Sequence, residues 1–423
     1  MNNFKHSEVI VIGGGAAGII AAWRAASLGV DTLLIEKNNT LGRKLLISGS
    51  GKCNITHSGT VEELLKGFPK NEANFLKYSF YRFSNSDILN LLNSYGLKTF
   101  VREDGKVFPV SQRARDVLNV FMKLLRENNG KILLNSTVID LQMHRDYFFK
   151  VITGSNQIES KCIIIATGGV SYPHTGSTGD GYLFAQKLGH NIIEIKPALA
   201  PVEVFPEFPE VWKGIALRNG LLKCYLDGNK LIEESGDVLF THRGLSGPAI
   251  LEISRYAAEN IKKGNLYLYY DLFPFKSAEE FDIELTENFV NNSNKEVENV
   301  LKIYLPNRII KHFLNRVGIE ESKRCNQVSK QERKKILDLI KNMPLGKIVS
   351  IDIKSGEVTA GGVSLKEVNS RTMESKKIKG IYFCGEVLDI AGRIGGYNLQ
   401  AAYSTGYVAG ENAAEIIKSR LMR

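Results

Sequence analysis

The sequence predicts an α/β fold in which a parallel-sheet domain is divided between the two ends of the chain by an inserted domain. Three features of the 423 residues indicate this. A glycine-rich turn separates an apolar strand from a helix near the N-terminus. The middle of the chain carries hairpin and helix-capping signals. Glycine-rich sequence then returns near the C-terminus, between another short apolar strand and a long helix.

The length suits two or three domains. We place their boundaries where the glycine content and the secondary-structure signals of the sequence change. Residues 1–190 and 346–423 are predicted to form the two parts of the divided domain. Residues 191–345 are predicted to form the insertion, which is β-rich at first and helical later. Its signals include an Asp227-Gly228 hairpin turn and helices opened by capping boxes at Ser277 and Ser329.

A βαβ unit is predicted at the start of the chain. Glu8–Ile12 has the apolar character of a short buried strand, Ala16–Leu28 that of a helix, and Thr32–Ile35 that of a second buried strand. Further along, helical periodicity covers Ala73–Tyr95, and a strand pair is predicted between Lys131–Gln142 and Phe148–Thr153.

The turn of the βαβ unit has the glycine spacing of a dinucleotide-binding fingerprint. Gly13 permits a tight turn, Gly15 lets the backbone approach a diphosphate, and Gly18 allows close packing of helix on strand. The helix N-terminus offers N–H donors and partial positive charge to the diphosphate. Glu36 ends the next strand, where it can accept hydrogen bonds from an adenosine ribose. The fingerprint alone does not separate FAD from NAD.

A long loop after this acid favours FAD. Residues 41–54 are punctuated by glycine and contain three cations. Arg43 or Lys44 can neutralise phosphate, and Lys52 or Asn54 can lie near the isoalloxazine ring. Such a loop can wrap the diphosphate and lay backbone along the flavin.

The C-terminal segment provides the other half of a flavin site. Glu386 and Asp389 follow a strand, where a carboxylate can accept hydrogen bonds from the ribityl hydroxyls. The final helix begins after Gly395-Gly396. Its N-terminus can face the pyrimidine carbonyl of the flavin, where negative charge develops on reduction.

These segments resemble the BaiN-like (YhiN-like) NAD(P)/FAD-dependent oxidoreductases, a family that includes aminoacetone oxidase-like flavoproteins. The matching motifs follow in order over nearly the whole chain: the N-terminal fingerprint, Gly42-Arg43-Lys44, Ser48–Asn54, Ala166–Gly169, Ser171–Gly181, Phe240–Pro248 and Gly385–Ala402. The resemblance implies a Rossmann-like, two-dinucleotide-type FAD-binding domain with an inserted β-rich plus helical domain. It also implies that Ala166–Gly168 lie near the FAD and Val138 near its adenine. Ser50 departs from the loop's common third glycine, and Lys52 from its common arginine.

The motifs and the resemblance together give a set of candidate cofactor-binding residues. They are Gly13, Gly15, Ala16, Ala17, Glu36, Lys37, Arg43, Lys44, Ser48, Gly51, Cys53, Asn54, Val138, Ala166, Thr167, Gly168, Gly385, Glu386, Asp389, Gly395, Gly396, Asn398 and Leu399. No metal-ligand cluster is readable from residue spacing, so no metal site is predicted.

The catalytic residues are not identified by the sequence, but three candidates can move a proton or orient a substrate: His174, His242 and Lys52. A redox disulfide is excluded because none of the five cysteines forms a C-x-x-C pair. Cys53 is therefore interpreted as a small packing residue.

The predicted reaction is hydride transfer between a small organic substrate and FAD. The resemblance implies reduction of an activated C=C bond, and it also implies amine oxidation with O₂ as an alternative. NADH or NADPH would bind transiently, because no second G-x-G-x-x-G fingerprint is present. The sequence also leaves open a tRNA-modifying flavoprotein and a non-catalytic flavin sensor.

The charge balance leaves the choice of partner open. The net charge of +10 permits nucleic acid or anionic substrates. Much of the excess lies in solvated helical stretches such as Lys330–Lys341, and no RNA-binding motif is recognisable, so we expect a small-molecule substrate and no nucleic-acid partner. The apolar run Val9–Trp23 is too short to span a membrane, and a cytoplasmic location is expected. The oligomeric state is not predicted.

Overall fold

The computed structural model describes residues 5–144 and 148–421, which fall into two compact units. Unit one comprises Met1–Lys196 and Gly356–Arg423, and unit two comprises Pro197–Ser355. Unit two thus begins and ends later than the 191–345 expected for the insertion. The second difference arises because the strand that ends at Ser350 belongs to the sheet of unit two.

In chain order the helices are α1 Ala16–Ser27, α2 Arg43–Ile47, α3 Val61–Leu65, α4 Lys70–Arg82, α5 Asn85–Ser94, α6 Ala114–Glu127, α7 Asp180–Lys187, α8 Pro248–Asn260, α9 Ala278–Asn291, α10 Val297–Leu301, α11 Asn307–Val317, α12 Lys330–Lys341 and α13 Tyr397–Leu421. Among the residues that the structure describes, no helix combines the length and the apolar character needed to cross a bilayer.

The strands are β1 Val9–Ile12, β2 Thr32–Ile35, β3 Thr56–His57, β4 Thr99–Val101, β5 Lys106–Pro109, β6 Lys131–Leu133, β7 Val138–Met143, β8 Phe149–Thr153, β9 Gln157–Ser160, β10 Cys162–Ile165, β11 Ile192–Ala198, β12 Glu203–Phe205, β13 Ala216–Leu226, β14 Asn229–Phe240, β15 Leu245–Ser246, β16 Leu266–Asp271, β17 Met343–Ser350, β18 Val358–Val363 and β19 Ile381–Phe383.

The core of unit one is a five-stranded parallel sheet in the order β19–β10–β1–β2–β6. Val9 of β1 lies opposite Cys162 of β10 on one side and Thr32 of β2 on the other. All residues of β1, β2 and β10 are buried, as expected for parallel strands covered on both faces. The carboxyl ends of these strands meet at one edge, which is where α/β sheets bind ligands. The predicted Rossmann-like α/β fold is confirmed.

Helices α1 and α13 pack unusually closely on one another. A Cβ at Gly406 of α13 would lie 2.3 Å from the carbonyl oxygen of Ala17, and one at Gly410 would lie 2.2 Å from that of Ala21. Only glycine fits at either position, because a methyl group would overlap the backbone of α1. The last helix of the chain is therefore fixed against the first.

Two predicted elements of unit one are wrong in detail. Lys131–Gln142 is not a single strand: its start, β6, joins the parallel sheet, and only β7 pairs with β8. The helix predicted over Ala73–Tyr95 is two helices, because Ser84 caps α5 through its side chain and ends the continuity at Phe83.

Unit two is built on a six-stranded antiparallel sheet in the order β12–β17–β16–β13–β14–β15. The predicted Asp227-Gly228 turn joins β13 to β14, and both residues have positive φ, +45° and +85°. The capping boxes predicted at Ser277 and Ser329 are both present, at the starts of α9 and α12.

Candidate cofactor site

The three glycines of the N-terminal turn differ in their surroundings. A Cβ at Gly13, where φ is +105°, would lie 2.5 Å from the carbonyl oxygen of Ala166, and one at Gly18 would lie 1.9 Å from that of Gly13. Both positions are glycine because protein backbone packs against them. Around Gly15, in contrast, no atom of the described residues beyond its chain neighbours lies within 4 Å of the Cβ position. Its φ of −80° suits any residue. The missing side chain at Gly15 therefore leaves space that the protein does not fill.

This space lies at the N-terminus of α1. Gly15 is the residue before the helix, no side chain caps the helix there, and the first turn contains no acidic residue. The first N–H groups of a helix need acceptors, and the helix dipole favours an anion at this end. A diphosphate fits both requirements, with Ala16 and Ala17 as donors.

Glu36 lies beside the same turn and is 8% exposed. Its Oε2 accepts a hydrogen bond from the N–H of Gly14 at 2.6 Å. Its Oε1 accepts from the N–H and the side-chain amide of Asn38, at 2.8 and 2.6 Å. The carboxylate thus shapes the turn while keeping further lone pairs for ribose hydroxyls. Val138 begins β7 two residues after Ser136, whose N–H donates to the carbonyl oxygen of Glu36 at 3.0 Å.

Two of the candidate cations already have protein partners. Lys37 Nζ lies 2.7 Å from Asp180 Oδ2, so its charge is paired. Arg43 Nη1 donates to the neutral Asn38 Oδ1 at 2.7 Å, which leaves the guanidinium charge available. Of the two, Arg43 is the better candidate for a phosphate.

A polar cluster holds Glu386. Lys44 Nζ donates to its Oε2 at 2.8 Å. Ser171 Oγ and the N–H of Thr359 donate to its Oε1, at 3.0 and 2.8 Å. A Cβ at Gly169 would lie 2.3 Å from Thr359 Oγ1, so the backbone there must be glycine to admit the cluster. The carboxylate predicted to face the ribityl chain is therefore oriented by three distant parts of the chain.

The loop Ser48–Asn54 turns through four residues with positive φ: Gly49, Ser50, Gly51 and Cys53, at +55°, +57°, +83° and +62°. Glycine adopts this region most readily, and Ser50 adopts it too, so the departure from a third glycine leaves the turn intact. Cys53 is fully buried, and burial raises the pKa of its thiol to about 12. The thiol is therefore protonated at neutral pH, which agrees with its interpretation as a packing residue.

Two buried side-chain atoms in this region have no hydrogen-bond partner within the described part of the chain: Asn54 Oδ1 and Thr167 Oγ1. Thr167 stands two residues after the end of β10, between Ala166 and Gly168, whose φ is +74°. A buried polar atom without a partner costs free energy and calls for a ligand or water. The donors and acceptors of FAD fit this requirement.

The loop before α13 is packed against protein. Gly395 and Gly396 have φ of +126° and +99°, and a Cβ at Gly396 would lie 2.4 Å from the carbonyl carbon of Thr56. The side chain of Asn398 accepts from the N–H of Gly392 at 2.8 Å and donates to its carbonyl oxygen at 2.9 Å. The Asn398 amide thus shapes the loop, and the backbone N–H groups at the start of α13 are what this loop can offer to a flavin.

The remaining C-terminal candidates are Gly385, Asp389 and Leu399. Gly385 has φ of +73°, and a Cβ there would lie 2.7 Å from the Cβ of Ala17 in α1. The N–H of Asp389 donates to the carbonyl oxygen of Val363 at 3.1 Å. Leu399 is half-buried in the first turn of α13.

The side chains of the three catalytic candidates are all exposed. Lys52 and His174 are exposed in unit one, and His242 is exposed in unit two. The ring of His174 lies edge-on to that of Tyr172, with centroids 5.7 Å apart.

The sequence analysis did not name Glu357, and it included Tyr172 only as part of the Ser171–Gly181 motif. Glu357 is solvent-exposed yet surrounded closely enough that desolvation raises its pKa, against the opposing charges of Lys44 and Lys106. Burial, and then the charge of Glu357, raises the pKa of Tyr172, whose φ is +50°. Strained backbone and shifted pKa values are typical of functional sites.

Known proteins are similar to this chain over nearly its whole length. The family described as "HI0933-like protein Rossmann domain" matches residues 7–412. A ribosomal RNA dihydrouridine synthase from Haemophilus influenzae is 31% identical over 410 residues, 95% of this chain and 97% of the relative. A 3-dehydro-bile acid delta(4,6)-reductase from Clostridium scindens is 29% identical over 414 residues, 97% of this chain and 99% of the relative.

Solved structures show the same fold. A 3-ketosteroid delta1-dehydrogenase from Sterolibacterium denitrificans superposes with a TM-score of 0.52 at 14% identity, covering 97% of this chain and 100% of that one. The FrdA chain of the Escherichia coli quinol fumarate reductase superposes with a TM-score of 0.52 at 16% identity, covering 99% of this chain and 71% of that one.

Proposed function

The chain belongs to the HI0933-like Rossmann-domain family and is a flavin-dependent oxidoreductase, and from this premise we propose that it reduces a carbonyl-conjugated C=C bond with FAD. NADH or NADPH is the proposed source of electrons. The substrate accepts a hydride at the carbon distant from the carbonyl and a proton at the neighbouring carbon.

The FAD would be held by the residues whose surroundings were described above. The space at Gly15 and the N-terminus of α1 suit the diphosphate, with Arg43 as a counter-charge. Glu36 suits the adenosine ribose, and Glu386 suits the ribityl hydroxyls. When bound, FAD supplies the hydride chemistry.

The start of α13 would face the flavin's pyrimidine ring. The loop ends in Gly395-Gly396 and is fixed in place by Thr56 and by the amide of Asn398. A helix N-terminus presents N–H donors and partial positive charge without reorganisation. These donors would stabilise the negative charge of a reduced flavin.

One observation carries the choice of reaction: the names of two relatives that match over nearly their whole length denote different substrates but the same reaction, the reduction of a C=C bond. The name of the Haemophilus relative denotes formation of dihydrouridine, in which a C=C bond of uridine is saturated, and the name of the Clostridium relative denotes reduction of delta(4,6) double bonds in a 3-dehydro-bile acid. This supports C=C reduction over amine oxidation with O₂.

Anaerobic mixing with NADH and NADPH tests the proposal. We expect rapid bleaching of the flavin absorbance with at least one of them, followed by recovery of colour when a cyclic enone or a uridine-containing RNA is added. Bleaching that is reversed only by O₂ would favour the oxidase alternative. Absence of bleaching with either nucleotide would contradict the reductase and favour a flavin sensor.

An RNA substrate is the second candidate. The net charge of +10 and the pI of about 9.1 favour a polyanionic partner, and the name of the Haemophilus relative denotes action on ribosomal RNA. These two observations weigh against the expectation that no nucleic acid is a partner. An RNA enzyme should bind ribosomal RNA fragments with an affinity that falls steeply with salt. A small-molecule reductase should show only weak binding that does not depend on RNA sequence.

A further inference from the structure

Unit two contains a cavity of about 310 Å³ that the proposed flavin chemistry does not use. Its wall is mainly apolar and aromatic, with Phe208 and Trp212 from the segment after β12, Phe313 from α11 and Leu339 from α12. A cavity of this size and character accommodates a small organic molecule.

Trp212 contributes an indole N–H as well as an aromatic ring to the wall. Trp212 is 8% exposed, and its Nε1–H is buried without an acceptor among the residues that the structure describes. Its ring is held by Phe208, stacked at 5.5 Å, and by Phe240, edge-on at 5.1 Å. A buried donor of this kind is satisfied only when an acceptor reaches it.

Two basic side chains complete the lining. His312 and Arg316 lie one turn apart on α11, and neither has a hydrogen-bond or ion-pair partner in the described part of the chain. The ring of His312 lies edge-on to that of Trp212, with centroids 5.9 Å apart. Glu207 is the acidic residue of the lining. An unpaired guanidinium beside an apolar cavity is suited to a carboxylate.

We propose that this cavity binds a small carboxylate with an apolar body, with the carboxylate on Arg316 and the body against Phe208, Phe313 and Leu339. A nucleobase fits less well, because the apolar wall would leave most of its donors and acceptors unpaired. The proposal is independent of the proposed reaction, since its residues all belong to unit two.

The chain provides its own reporter, because Trp23 and Trp212 are its two tryptophans. In a Trp23→Phe holoprotein, selective indole excitation reports on Trp212 alone. We expect phenylpropionate to change this emission saturably and to raise the melting temperature. Phenylpropionamide, which has the same body without the charge, should bind roughly tenfold more weakly.

Three variants in the same background locate the ligand. Arg316→Gln should weaken the binding of phenylpropionate roughly tenfold, and it should leave the binding of phenylpropionamide unchanged. Leu339→Phe should abolish binding by filling the cavity. Glu207→Gln should leave binding unchanged or tighten it, because it removes a like charge. Circular dichroism and thermal unfolding check that each variant is folded.

Equal binding of the acid and the amide, or no saturable response from either, would overturn the proposal. Unchanged binding in Leu339→Phe would also overturn it, because the ligand would then lie elsewhere. A response to a short single-stranded RNA but not to phenylpropionate would assign the cavity to RNA and contradict the carboxylate.

Discussion

The turn before α1 and the loop before α13 are both rich in glycine, but their glycines serve different purposes. At Gly396 the added Cβ would meet the backbone of Thr56, and at Gly13 and Gly18 it would also meet backbone. At Gly15 it would meet nothing. A glycine whose Cβ position is filled by other protein atoms indicates close backbone packing. A glycine whose Cβ position is empty indicates space for a ligand.

This difference separates glycines that matter for folding stability from one that matters for cofactor binding. Substitutions at the packed glycines should act on folding first and on cofactor binding as a consequence. A substitution at Gly15 should act on cofactor binding alone. Glycine content by itself does not distinguish the two cases, but the surroundings of each Cβ position do.

The largest effect on folding is expected at the C-terminal loop. Gly396→Ala should destabilise the protein by about 3 kcal/mol or more, because it combines a positive φ with backbone overlap. Denaturant unfolding of the apoprotein would measure this. The matched control, Gly15→Ala, should change stability by about 0.5 kcal/mol or less. Equal losses in the two variants would remove the distinction between the regions.

Gly15→Val should have the next largest effect, on FAD rather than on folding. The side chain would occupy the diphosphate's space, and we expect the affinity for FAD to fall roughly a hundredfold, the loss of two or more charge-assisted hydrogen bonds. Equilibrium dialysis would give the affinity, and circular dichroism would show an unchanged fold. A variant that retains normal FAD content would place the diphosphate elsewhere.

A smaller effect is expected at Glu36. Glu36→Ala should weaken FAD binding roughly tenfold, since it removes an acceptor for the ribose and also frees the N–H of Gly14. Asn38→Ala serves as the control, because it disturbs the same turn through the amide but keeps the carboxylate. If both variants weaken FAD binding equally, Glu36 supports the loop and does not bind the ribose.

The smallest effect concerns pH and Cys53, in the loop that precedes Thr56. Its thiol has a pKa of about 12 when folded, against an ordinary value of 9.0, because burial disfavours the thiolate. The unfolded chain therefore loses this proton first, and stability contributed by Cys53 falls as the pH rises from about 9 towards about 12. Cys53→Ala should flatten the decline in melting temperature above pH 9. An identical slope in both proteins would show that Cys53 does not contribute to it.

The N-terminal site could be predicted because its parts are adjacent in the sequence. The fingerprint glycines, α1 and β2 lie within one short stretch, and each spacing has a direct geometric meaning. The Glu386 cluster could not be predicted in the same way. Ser171 and Thr359 reach Glu386 only after three distant segments have folded together, and their local sequence does not show that they contact it.

One of the errors in secondary structure has a similar origin. The strand predicted over Lys131–Gln142 contains two strands that belong to different sheets, and only the tertiary partners of β6 and β7 separate them. The break between α4 and α5 was missed for another reason: apolar periodicity runs through it, and the capping box that Ser84 forms with Asp87 marks it locally.

The most direct test of the account is a titration of the folded apoprotein with FAD, followed by flavin fluorescence. We predict saturable binding of a single FAD per chain, with a rise in melting temperature. A folded apoprotein that takes up no FAD would contradict the assignment of the space at Gly15 to a diphosphate.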